Sequence, residues 1–233
     1  MKKLLLLVLI IAPIATALAA ETPLCALPSQ DSKVAVNNAN IEGDPDPGCA
    51  QMLASALKLA GKDDISLYNT TKIPAQLSVG AVYLQPITMA PAGTMRPRDQ
   101  SDIHLEIDIH AKQSLKSRGF APGDWLPNAA VTYTIQKVGS SQALVCGKDA
   151  TTQQPLQICS LMPMVASDGA HYGDNVKLDG PGFYVVTFNA ETNPHFGWHT
   201  DTESKILGTE FVNWQFKQGY VFAWTGIGKK GGY

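Results

Sequence analysis

Residues 102–111 alternate without a break, with Ile103, Leu105, Ile107 and Ile109 on one side and His104, Glu106, Asp108 and His110 on the other. A period of two over that length predicts a β-strand with one face in a core. Similar runs, rich in β-branched and aromatic residues, recur as GAVYLQPITM, AAVTYTIQKV, ALVC, LQICSLM, GFYVVTFNAE and FVNWQFKQGYVFAW, separated by Gly, Pro, Asn and Asp. No helical period intervenes from Val79 onward, which predicts an all-β antiparallel sandwich.

Upstream the pattern changes. Met52, Leu53, Ala56, Leu57 and Leu59 form a helical stripe over residues 50–60, opened by Asp46-Pro47 and closed by Gly61. Residues 21–47 and 61–76 read as irregular. At the start, Lys2 and Lys3 precede an apolar run from Leu4 to Ile11, and the small residues Ala17-Leu18-Ala19 follow. That is the pattern of a cleaved secretory signal, with an apolar run short for a bilayer span. The expected organisation is a signal peptide over 1–19, an N-terminal extension with a short helix over 20–78, and the sandwich over 79–233.

Export changes how the cysteines read. Cys25, Cys49, Cys146 and Cys159 are an even set in an oxidising compartment, which predicts two disulfides. Three connectivities are possible on paper, and the sequence-local pairing, Cys25–Cys49 with Cys146–Cys159, is favoured. Without Lys2 and Lys3, 16 basic residues face 20 acidic ones, too little positive charge to bind nucleic acid. No later segment is apolar enough to insert stably in a membrane. A periplasmic location is expected.

Candidate chemistry concentrates in three places. On the polar side of 102–111, neighbouring side chains stand roughly 7 Å apart, so His104 and Glu106 can share one ion, whereas His110, roughly 20 Å from His104, cannot join them. The plainer reading of such a face is solvent exposure. The segment MPMVASDGAHYGDN (162–175) then brings thioether, carboxylate and imidazole donors into what reads as a loop. Gly169 permits a tight turn that returns Asp168 and His171 toward Met164. A thioether has little affinity for hard ions and points to copper, although methionines more often fill cores. A third fragment, GWHTDTES (197–204), carries His199 and Asp201. No GxSxG, P-loop, HExxH or dinucleotide fingerprint occurs, and the expectation is a binding protein rather than a catalyst with turnover.

VYLQPITMAP (82–91), DIHLEIDIHA with GDWLP (123–127), MPMVASDGAHYGDNV (162–176) and WHTDTE (198–203) together resemble the periplasmic high-affinity ferrous iron transport proteins. The resemblance covers about residues 79–224. It implies an immunoglobulin-like sandwich that forms a homodimer, binds copper close to the dimer contact, and assists an inner-membrane iron permease. It places His104, Glu106, Met164 and His171 at the copper site, with Asp168 and His199 beside it where iron enters. Copper-assisted redox cycling of iron is compatible with that reading. The alternative is a periplasmic copper chaperone or resistance protein without an iron role.

Overall fold

The computed structural model describes residues 22–27, 48–60, 71–193, 195 and 214–226. Its strands are β1 (Thr22–Pro23), β2 (Cys25–Ala26), β3 (Leu77–Leu84), β4 (Ile103–Ala111), β5 (Ala129–Lys137), β6 (Gly147–Lys148), β7 (Pro155–Leu156), β8 (Cys159–Ser160), β9 (Met162–Ala166), β10 (Gly169–Val176), β11 (Gly182–Thr192) and β12 (Gln215–Trp224), with the helix α1 at Gly48–Ala60. They form two five-stranded sheets, β1-β3-β4-β10-β9 and β2-β12-β11-β5-β8, and a separate β6–β7 pair. All the paired strands run antiparallel. The chain is therefore the all-β sandwich with a short helix that the alternation predicts.

Ile103, Leu105, Ile107 and Ile109 of β4 point inward and are at most 1% exposed. They pack in one cluster with Tyr133, Ile135, Tyr184, Val186, Phe188 and Phe222 of the opposite sheet. Burying each such side chain stabilises the fold by roughly 1.5–3 kcal/mol. One consequence governs the site: with the isoleucines committed to the core, His104, Glu106 and Asp108 must stand on the outer face of the first sheet.

Two features of the N-terminal part depart from an irregular extension. β1 pairs with β3 in the first sheet, and β2 pairs with β12 in the second. Leu24 between them is buried in the core, so five residues join both layers. The helix packs Leu53 and Ala56 onto Val185 and Val221, on the outer face of the second sheet. Both disulfides have the favoured pairing, Cys25–Cys49 and Cys146–Cys159. The proposed helix start at Asp46-Pro47 and the signal segment 1–19 lie outside the described residues.

Segment 162–175 differs from the sequence expectation. It is the hairpin β9–β10, with Gly169 opposite Ala166 across a turn of Ser167 and Asp168. Gly169 has φ +138°, a backbone region that side chains other than hydrogen rarely adopt. Glycines and an aspartate made the segment read as a loop, yet β10 pairs with β4 on its far side and is a central strand, with β9 at the sheet edge.

Candidate metal centre

The register of three strands assembles the site. His104 lies opposite Asn175, Glu106 opposite Gly173, and across the hairpin Gly173 meets Met162 while His171 meets Met164. Residues directly opposite on one face of an antiparallel pair have Cβ atoms about 4.5–5.5 Å apart. Side chains separated by some sixty positions of chain are thus brought side by side.

His104, Glu106 and His171 converge, each offering one ligand atom, with these atoms all within 4.8 Å of one another. Nε2 of His104 lies 3.4 Å from Glu106 Oε1, and Nε2 of His171 lies 3.3 Å from that same oxygen. The two rings meet edge to face with centroids 6.1 Å apart. All three side chains are buried, at 0% exposure for His104 and 4% and 6% for His171 and Glu106. Both Nε2 atoms are buried and have no hydrogen-bond partner among the described residues, which is costly for polar atoms in a protein interior.

Electrostatics keep the rings neutral. Burial pushes the His104 pKa from 6.5 down to about 4, against the raising influence of its hydrogen bond to Asn175 and with the lowering influence of His171. His171 is also lowered, first by burial, while Asp108, Asp168 and a backbone hydrogen bond at Gly169 oppose the shift. A neutral imidazole with a free Nε2 is the ligating form. Space is provided as well. A Cβ on Gly173 would sit 2.6 Å from His104 Nε2 and 3.2 Å from the Leu105 carbonyl oxygen, so only glycine leaves the ring this position.

The other sequence candidates are placed differently. Met164 is buried at 8% exposure on the strand position facing His171. Asp168 is exposed in the β9–β10 turn and acts on His171 through its charge. His199 lies outside the described residues. His110 stays apart: its Nδ1 bonds the Gly123 carbonyl at 2.7 Å, its Nε2 faces Asp108 at 3.8 Å, and its pKa is raised chiefly by Asp108. Sequence reasoning missed Gly173 and Asn175. The step of two from His171 along β10 would have found both.

The donor set fits a transition metal. Two imidazoles suit copper, iron, nickel or zinc, a carboxylate tolerates harder ions, and a thioether alongside favours copper. A family model described as Fe2+ transport protein matches residues 66–226 of this chain. The chain belongs to the Fe2+ transport protein family. Among relatives, a UPF0423 protein of Brucella abortus is 42% identical over 162 residues, 67% of this chain and 80% of its own length. The 34 kDa membrane antigen of Treponema pallidum is 34% identical over 154 residues, 64% of this chain and 69% of its own. Among solved structures, FetP of uropathogenic Escherichia coli strain F11, expressed recombinantly in the periplasm, is 34% identical with TM-score 0.50, covering 68% of this chain and 93% of that one. A copper-bound variant of Campylobacter jejuni P19 is 33% identical with TM-score 0.52, covering 66% of this chain and 94% of that one. Family membership thus associates this chain with ferrous iron transport, and solved relatives bind copper.

Proposed function

We propose that this chain is a periplasmic copper-site protein that assists high-affinity iron uptake through an inner-membrane iron permease. The observation that carries the metal site is the pair of buried imidazole nitrogens, without a hydrogen-bond partner among the described residues, aimed at one carboxylate oxygen. Copper would be held by His104 Nε2, His171 Nε2, Glu106 and the Met164 thioether. When bound it supplies a one-electron redox centre; iron is the cargo. Membership in the Fe2+ transport protein family and the copper-bound relatives support both halves of the reading.

The chain's own residues act in simple ways. Burial holds both rings neutral and keeps competing water away. Glu106 offers a carboxylate that can serve a soft or a hard ion, and Asp168 adds negative charge at the outer end of the hairpin, where iron would approach together with His199. A homodimer with the site near its contact is part of the proposal. The two disulfides support an oxidising compartment. Among the described residues no helix is long and apolar enough to cross a membrane.

The test combines binding and physiology. Protein purified from periplasm is analysed for metal, then titrated with Cu(II) alongside His104→Ala and Met164→Ala. A deletion strain is grown under iron limitation and under copper excess. Copper bound stoichiometrically, weakened in both variants, with poor growth only under iron limitation, is the expected result. A strain that loses copper tolerance alone would replace the iron role with copper handling.

A further inference from the structure

Asn175 stands on β10 directly opposite His104 and is buried at 1% exposure. Its amide makes four bonds. Nδ2 donates to the Ile87 carbonyl at 2.8 Å and to the Arg96 carbonyl at 2.9 Å. Oδ1 accepts from the Ile87 N–H at 3.2 Å and lies 3.0 Å from His104 Nδ1.

Those partners remove the usual ambiguity of an amide. Two carbonyl oxygens can only accept, so the atom facing them must be the NH2 group, and the atom facing the Ile87 N–H must be the oxygen. His104 Nδ1 therefore faces an acceptor and must carry the proton. A neutral imidazole protonated at Nδ1 has its lone pair at Nε2, the atom aimed at Glu106 Oε1. Three of these bonds, the two to Ile87 and the one to Arg96, close an arch of chain. Ile87 and Arg96 are its two feet, and it runs over a cavity of about 610 Å³ that Met89 and Met95 line. The side chain that selects the tautomer also clamps the arch.

We propose that Asn175 is the positioning residue of this metal centre, holding His104 in its ligating tautomer and coupling the centre to the 87–96 arch. This rests on the metal-site reading above, but its first readout needs no metal. Acting through His104, Asn175 touches no ion itself. Outer partners of a ligating histidine typically carry 10–100-fold of metal affinity, and the arch is the element that would respond when that partner shifts.

Two substitutions separate the roles. Asn175→Asp keeps an oxygen acceptor for His104 Nδ1–H but turns a second oxygen toward the Ile87 and Arg96 carbonyls, so the arch should be released while the tautomer survives. Asn175→Ala removes both. In the metal-free protein, 15N NMR of the imidazoles reads the tautomer and amide hydrogen exchange reads residues 87–96; Cu(II) competition titration and EPR follow. Expected are an Nδ1–H signal for His104 in the parent and in Asn175→Asp, a tautomer mixture in Asn175→Ala, and faster exchange of the arch in both variants. Copper affinity should fall 10–100-fold in Asn175→Ala with altered EPR hyperfine coupling, and return to within about threefold in Asn175→Asp. A folded Asn175→Ala that keeps the Nδ1–H tautomer and parental EPR overturns the positioning role. Unchanged exchange over 87–96 in Asn175→Asp overturns the coupling. If Asn175→Ala does not fold, parental EPR and affinity in Asn175→Asp support the proposal, and loss of both overturns it. Loss of copper binding by the parent itself, with the tautomer result intact, would instead fail the metal-site reading.

Discussion

Replacing Gly173 by alanine adds one methyl group at the point where the metal centre has least room. The new Cβ would stand 2.6 Å from His104 Nε2 and 3.0 Å from Cε1, with the Leu105 carbonyl oxygen at 3.2 Å. Restoring ordinary contact from 2.6 to about 3.4 Å requires the ring to move by ~0.8 Å, because the backbone on the other side cannot yield. The ring is fully buried and bonded to Asn175, so such a shift costs the order of 1–3 kcal/mol expected of overpacking. Metal–nitrogen distances tolerate about 0.2 Å, so a displacement several times larger moves Nε2 out of bonding position. We expect copper affinity to fall on the order of a hundredfold, which corresponds to about 2.7 kcal/mol. At saturating copper the parent's metal-dependent stabilisation shrinks by that amount, or roughly 5–10 °C in Tm for a domain of this size. The assay is the difference in Tm between metal-free and copper-loaded protein, alongside chelator competition. A Gly173→Ala protein whose copper-induced rise in Tm equals the parent's would refute the geometry.

Acid should destabilise the metal-free protein. The folded pKa of His104 is depressed to about 4 from 6.5, so the folded state binds fewer protons than the unfolded chain between those values. Stability is therefore complete above pH 6.5 and declines as pH falls toward 4, with His171 acting in the same direction. Between pH 7.5 and pH 5 the loss is about 2 kcal/mol, measurable by urea denaturation, and His104→Gln should flatten the slope; an equally steep slope in that variant would assign the effect elsewhere. Replacing Cys25 and Cys49 by serine opens a bridge spanning a sequence separation of 24 and should cost about 3 kcal/mol. Copper affinity should stay unchanged, because α1 packs on the second sheet while the metal centre lies on the first; a weakened copper site would show that the helix acts on the centre.

The sandwich was legible because β4 alternates so strictly, and the same alternation put His104 and Glu106 on one face. Convergence with His171 was harder to read. It depends on the β4–β10 register, which aligns His104 with Asn175 and Glu106 with Gly173, and no local pattern encodes a register between strands so far apart in sequence. The family resemblance joined the two sets of candidate ligands that spacing left apart. Segment 162–175 misled because its glycines signal turns, whereas Gly173 serves close approach of a ring and Gly169 alone serves the turn. Short β1 and β2 escaped notice since two-residue strands carry no periodicity, and their role depends on which edges they meet.

That meeting of edges has a practical consequence. The family match begins at residue 66, and a chain cut there would lack Thr22–Ala26. β3 and β12 would then become naked borders, each with a row of backbone donors and acceptors ready to recruit another molecule. The N-terminal stretch that looks dispensable from homology thus acts as a selvedge, sewn along both cloths at once, and a shortened protein should multimerise through seams the uncut chain keeps closed.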